Sequence, residues 1–184
     1  MNYNRYSMFT VPIIDIKVND WGRKKKLLMN LYSQEKMERV DNKSSDEHLY
    51  TSFFSNNYQK DAVYEVIKDE LIVCASELNF IEFTLSNVWF QKYNNRDYHS
   101  IHTHGALGYS FICFVNFDPN HHDSTTFIAP YLNFLSGHSL AYIPKVKEGT
   151  MLFFPSSIMH YAPHNTTDIP RIILSGNISV HKWN

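Results

Sequence analysis

At Asn79 the spacing of apolar residues changes from about 3.6 to about 2, and this switch limits the possible folds more than any other feature of the chain. Ahead of it, Val63, Ile67, Leu71, Cys74 and Leu78 keep one helical face apolar while Lys60, Asp61, Glu65, Lys68 and Asp69 take the other. A helix beginning at Tyr58 is therefore expected to pack against a sheet. A shorter amphipathic helix is expected earlier, with Asn19-Asp20-Trp21 offering its N-cap and Leu27, Leu28, Leu31 and Tyr32 its apolar face. The run Arg23-Lys24-Lys25-Lys26 spreads around that helix and predicts a solvated face. Phe9 to Ile16 reads as a strand. Residues 33–57 are polar and rich in turn formers, which marks a surface excursion with Tyr50 to Phe54 extended.

Beyond Asn79 the chain breaks into short apolar or alternating runs separated by turn clusters. They are Phe80 to Tyr93, Tyr98 to Thr103, Leu107 to Phe117, Thr125 to Ala129, Ser139 to Ile143, Thr150 to Phe154, Ile158 to Ala162 and Arg171 to His181. Strands without intervening helices predict an antiparallel jelly roll, a cupin-like double-stranded β-helix, with the helices packed on one face; the class is mostly β, α+β overall. A chain of 184 residues suffices for one substantial core and not for two ordinary domains. Residues 1–184 are expected to form a single domain, with 1–79 as mainly helical support and 80–184 as the β core.

Charge and motifs then narrow the function. With 17 basic and 18 acidic residues there is no bulk field to draw a polyanion, which disfavours nucleic acid as a partner. No apolar run approaches the roughly 18–20 residues of a membrane span, and the opening MNYNRYSMFTVPIIDIK lacks the succession of a secretory signal. The expectation is a cytoplasmic protein with no membrane partner. Two cysteines exclude a disulfide framework, and Cys74 and Cys113 fall in apolar patterns where buried free thiols are ordinary. Phosphate loops of the GxxxxGK and GxGxxG types are absent, which removes support for a kinase or a Rossmann dehydrogenase.

Most of the ten histidines lie in the β half. In His102-Thr103-His104, at the end of an expected strand, positions i and i+2 share a face and bring two imidazoles toward one metal ion. In Gly149-Thr-Met-Leu-Phe-Phe-Pro155-Ser-Ser-Ile-Met-His160 an apolar strand ends at a proline turn that can aim His160 back toward the barrel mouth. A jelly roll sets early and late strands side by side, so His102, His104 and His160 can converge. The last strand alternates Arg171, Ser175, Asn177, Ser179 and His181 with Ile172, Leu174, Gly176, Ile178 and Val180; a strand with one face in water reads the same way. His121-His122-Asp123 holds a literal H-x-D but follows the turn signal Phe117-Asp118-Pro119-Asn120. If His104 were the first ligand, Ala106 would hold the third position and leave that corner open. His99 is expected on the opposite strand face from His102, in a structural role, and His164 beside the site or ending a turn. Tyr93, Tyr98, Tyr109, Phe111 and Phe153 are candidates to shield the site from water or simply to fill the barrel.

Together these segments resemble the iron(II)- and 2-oxoglutarate-dependent oxygenases of the double-stranded β-helix fold, small bacterial and phage members in particular. The likeness runs from Phe9-Thr-Val-Pro-Ile13 through Trp89 and the HTH at 102–104 to FFPSSIMH at 153–160 and RIILSGN at 171–177. It implies Fe(II) held by His102, His104 and His160, with His160 as distal ligand, and 2-oxoglutarate anchored by Arg171, whose planar, always charged guanidinium suits a carboxylate. It also implies O2 as co-substrate, with succinate and CO2 released as a substrate is hydroxylated. Two departures matter. The family's H-x-[DE] reads H-x-H here, so the triad carboxylate is replaced by an imidazole. The serine that some relatives place two residues after the arginine is Ile173, and Ser175 or Asn177 stands in on the same face.

Two rivals remain at this point: a cupin-like three-histidine metal enzyme that does not use 2-oxoglutarate, and a non-enzymatic jelly-roll binding protein. The primary substrate is not written in the sequence, since the residues that choose it belong to loops such as 33–57, 93–97 and 118–138. Apolar strands in so small a barrel are compatible with a homodimer.

Overall fold

The structure, a computed structural model, describes residues 10–42, 47–55 and 59–184. In chain order the elements are β1 (Ile14–Lys17), α1 (Trp21–Gln34), β2 (Glu38–Asn42), β3 (Glu47–Thr51), α2 (Lys60–Glu77), β4 (Phe80–Tyr93), β5 (His99–His102), β6 (Tyr109–Asn116), β7 (Thr126–Leu132), β8 (Ser139–Tyr142), β9 (Thr150–Pro155), β10 (His160–Ala162) and β11 (Arg171–Trp183). A seven-stranded sheet in the order β1-β9-β6-β11-β4-β3-β2 packs against a four-stranded sheet in the order β5-β10-β7-β8. The strand pairs are antiparallel. This is the jelly roll expected from the strand pattern, and both helices lie on the outer face of the larger sheet. The Phe9 end of the expected first strand lies outside the described residues. None of the helices described is long and apolar enough to cross a membrane.

Two cores explain why the central strands are apolar without a break. Phe111, Cys113 and Val115 of β6 and Met151 and Phe153 of β9 pack under the helices with Leu28, Ile67 and Leu71. Their neighbours Ile112, Phe114, Leu152 and Phe154 point between the sheets. A strand covered on both faces has no reason to alternate. In β11, Ile172 and Leu174 face the helices while Ile173 points between the sheets. Residues 171–176 are all buried, so the polar Arg171–Ser175 face opens into the barrel and not into water. A Cβ on Gly176 would come within 2.5 Å of the Phe111 ring and 2.9 Å of the Asn87 carbonyl oxygen, which is why glycine stands at that crossing.

Three expectations are corrected. The polar excursion contains a hairpin: β2 and β3 pair from Glu38↔Thr51 to Asn42↔Glu47 and extend the large sheet. Charged residues outnumber the one buried apolar residue among those described, Leu49, so its period-2 signal is faint. The basic run on α1 is not wholly solvated, because Lys24 is 2% exposed and its Nζ lies 2.8 Å from a Glu70 carboxylate oxygen on α2. Asp20 does sit at the cap of α1, but its carboxylate accepts a hydrogen bond from Arg23 Nε–H at 2.6 Å and makes no side-chain cap.

Candidate metal centre

β5 and β10 are antiparallel neighbours, and His102 at the end of one is the register partner of His160 at the start of the other. His104 follows in the loop after β5, where its backbone N–H donates to the Ser156 carbonyl at 2.9 Å. The turn that carries Ser156 begins at Pro155, whose carbonyl accepts from Ile158 N–H at 3.0 Å. The proline turn thus fixes both His160 and the backbone of His104. Ring centroids lie 4.4 Å apart for His102–His160, 5.0 Å for His104–His160 and 5.3 Å for His102–His104. One potential ligand atom from each lies within 4.8 Å of the others.

Hydrogen bonds fix the tautomer of each ring. His102 Nδ1 lies 2.8 Å from the Ser100 carbonyl, and His160 Nδ1 lies 2.9 Å from the Ile158 carbonyl. A carbonyl only accepts, so Nδ1 carries the proton and the lone pair is on Nε2. His104 Nδ1 donates to Asn177 Oδ1 at 2.8 Å, and that oxygen also accepts from Ser110 Oγ at 2.8 Å. Ser110 in turn accepts from Ser156 Oγ at 2.8 Å. Each ring is thereby oriented through Nδ1, the arrangement typical of metal-ligating histidines.

Burial keeps the cluster neutral. Desolvation, reinforced by the facing imidazoles, pushes His160 down to about 3. Desolvation likewise lowers His104 to about 4 and lowers His102. Neutral imidazole is the form that binds metal. A fourth ring was expected elsewhere: His99 stacks on His102 at 3.8 Å, where strict alternation would send it away. The register shift between β5 and β10 brings it round. Burial and the other three rings push it down to about 2, and its Nδ1 lies 3.2 Å from Gln91 Nε2.

Arg171 is 2% exposed at the start of β11. Its NH1 and NH2 groups donate to the carbonyls of Asp123 and Pro163, each at 2.8 Å, and the guanidinium lies 4.3 Å from the centroid of the Tyr93 ring. Among the described residues no carboxylate ion-pairs with it. The imidazoles of His102, His104 and His160 line a narrow space together with Tyr93, Ile173 and Ser175; Arg171 is not one of its walls and adjoins it through Tyr93, on whose ring the guanidinium lies. Ser175 donates to Gln91 Oε1 at 2.9 Å. Asn177, expected beside Arg171 at the co-substrate, gives its carbonyl to His104.

The other registers fall away from the cluster. His122 Nε2 lies 2.9 Å from the Ile169 carbonyl, its Nδ1 accepts from the Asp118 N–H, and neither it nor Asp123 joins the three histidines. Ala106 is an exposed loop residue and His164 stacks on Tyr98 at 4.2 Å. Among the shielding aromatics, Phe111 and Phe153 turn to the helices, while Phe154, Phe127 and Trp89 are the rings beside the imidazoles. Gln91 was missed; its signal is its even spacing from Trp89 and Tyr93 on the inner face of β4.

The donor set fits a metal ion: three neutral, pre-oriented imidazoles of the kind that bind iron, zinc, copper or nickel. No family model and no curated protein sequence matches this chain. Solved structures do. The non-heme α-ketoglutarate-dependent epimerase SnoN from nogalamycin biosynthesis superposes with a TM-score of 0.70 at 15% identity, over 91% of this chain and 77% of that one. A 2OG-Fe(II) oxygenase family oxidoreductase from Burkholderia pseudomallei gives 0.68 at 10% identity, over 93% and 86%. A Pseudomonas putida prolyl-4-hydroxylase gives 0.64 at 13% identity, over 94% and 95%. The chain shares the double-stranded β-helix fold of these oxygenases.

Proposed function

We propose that this protein is an Fe(II)- and 2-oxoglutarate-dependent oxygenase that hydroxylates its substrate. O2 and 2-oxoglutarate are consumed, a substrate C–H becomes C–OH, and succinate and CO2 leave. His102, His104 and His160 hold the metal through Nε2, Arg171 receives the far carboxylate of the keto acid, and Ser175 adds a hydroxyl on the same inner face. Asn177 acts by holding His104 in its ligating orientation. Bound Fe(II) supplies the activation of O2 that is coupled to decarboxylation of the keto acid.

The observation that carries this reading is the Arg171 guanidinium, buried and, among the described residues, without a carboxylate partner, at the start of the strand whose Ile173 and Ser175 line the imidazoles' space. A buried guanidinium held only by two carbonyls and the Tyr93 ring, with no counter-charge, carries a desolvation cost that a diacid would offset. That feature favours 2-oxoglutarate chemistry over a cupin-like site with no co-substrate. The space beside the imidazoles is narrow, so side chains that line it must move to admit a five-carbon diacid. Because three imidazoles bring no charge to the metal, the keto acid supplies the negative charge that the family's aspartate or glutamate would provide. Succinate release from 2-oxoglutarate by the Fe(II)-loaded protein in air is the test, and His160→Ala should reduce it at least 100-fold. Metal uptake with 2-oxoglutarate left intact would replace this reading with the cupin-like one.

A further inference from the structure

Beside the metal centre lies a groove of about 480 Å³ between the β2–β3 hairpin and β4. Val40, Leu49, Phe53, Phe54 and Trp89 form its apolar part, and His102 and His104 reach its inner end. Phe53 packs edge-on against both Phe54 and Trp89, with centroids 5.4 and 5.1 Å apart. Phe53 and Phe54 are nevertheless 50% and 62% exposed, two adjacent aromatic rings whose apolar surface faces the groove.

No charged side chain among the described residues lines this groove. The nearby charges turn away: Arg39 and Lys92 lie over the Tyr50 ring, 5.0 and 5.7 Å from its centroid, and Arg39 is tied to Asp97 at 2.7 Å. Alternation explains it, since Val40 and Gln91 line the groove while their neighbours Arg39 and Lys92 take the other face. Besides the histidines, Gln91 and the hydroxyls of Thr51 and Thr103, the polar groups lining it are two neighbouring amides, Asn87 and Asn177, which are register partners on β4 and β11. Asn87 Oδ1 is buried with no hydrogen-bond partner, an acceptor without a donor. Asn177 has its carbonyl engaged by His104 and Ser110, so its NH2 is what it can offer.

We infer that the groove binds the primary substrate and selects an uncharged molecule: an aromatic or bulky apolar body carrying an amide-like pair of one donor and one acceptor. The donor satisfies Asn87, the acceptor takes the Asn177 NH2, and the ring sits against Phe53, Phe54 and Trp89. A carboxylate or ammonium in the same place would be desolvated with no counter-charge. The metal and keto-acid roles rest on the oxygenase reading, while the preference for a neutral ligand follows from the groove.

The test uses three matched probes, 2-naphthamide, 2-naphthoate and 2-naphthylmethylammonium, titrated by ligand-observed NMR into the protein. It is run metal-free and again anaerobically with Fe(II) and 2-oxoglutarate. The amide should bind at least about tenfold tighter than either charged probe in both states. Asn87→Leu should weaken the amide about tenfold and leave 2-methylnaphthalene unchanged, whereas Phe54→Ala should weaken both. Equal binding of the three, preference for a charged one, or no binding by any would overturn the inference. The visible band of the Fe(II)–2-oxoglutarate complex is read in the same sample, so its absence would count against the oxygenase reading independently of probe preference.

Discussion

The hydrogen bond from His104 Nδ1–H to Asn177 Oδ1 ties a loop histidine to a strand of the larger sheet. Asn177→Leu removes that acceptor and strands the Ser110 hydroxyl as well, and metal affinity measured by titration should fall about 10–100-fold. Asn177→Asp, which keeps an acceptor, should retain most of it. An unchanged affinity in the leucine variant would show that the loop alone orients His104. Acid should act through the imidazoles. Their folded-state values lie below the ordinary 6.5, so the unfolded chain takes up protons first as pH falls. Stability of the metal-free protein should therefore be fully present above about pH 6.5 and decline toward about pH 3, as followed by urea denaturation. A flat profile would mean that these rings are not held neutral by burial. At this scale the sequence exposes the candidate ligands, which the fold brings together, because H-x-H spacing survives any register. It does not say which way Phe111 or Phe153 points, because a strand buried on both faces carries no parity.

Between elements, the Lys24–Glu70 pair joins α1 to α2 with both side chains only 3% exposed. Glu70 also accepts the Asn19 backbone N–H at 3.0 Å, anchoring the chain just before α1. Glu70→Ala should cost about 3 kcal/mol in denaturant melts, because it leaves the buried ammonium with only the longer contact, 3.3 Å, to the exposed Asp69 carboxylate. Replacing both partners, Lys24→Met with Glu70→Leu, should recover most of that loss. A loss below about 1 kcal/mol in the single variant would place the pair in effective contact with water. The sequence hides this contact, since its partner comes from a different helix and a four-residue basic run looks solvated by pattern alone. The same limit hides the β2–β3 hairpin, whose strands are short and mostly charged, while α2 and β4 are legible because their periodicity persists over many residues.

Across the whole molecule, the small sheet supplies two of the three proposed ligands and the large sheet supplies Arg171 and the brace on His104. A metal bound there links both layers of the barrel. Ni(II), as a redox-inert stand-in, should raise the melting temperature by several degrees at 100 times its dissociation constant, equivalent to about 2.7 kcal/mol, and excess EDTA should reverse the shift. His160→Ala should abolish the effect; a shift of the same size in that variant would locate the binding elsewhere. The two-layer architecture is readable from the switch in apolar period, but the meeting of Arg171 with Tyr93 and the carbonyls of Asp123 and Pro163 depends on loop geometry that no local pattern encodes.

The most direct test is anaerobic addition of 2-oxoglutarate to the Fe(II)-loaded protein, read by visible absorption for the wild type and for Arg171→Met. A charge-transfer band should form in the wild type, and the variant should need at least about tenfold more 2-oxoglutarate to reach it, since one charged, bidentate contact is lost. No band in the wild type, or the same saturation curve in both proteins, would contradict a co-substrate held between the three imidazoles and Arg171.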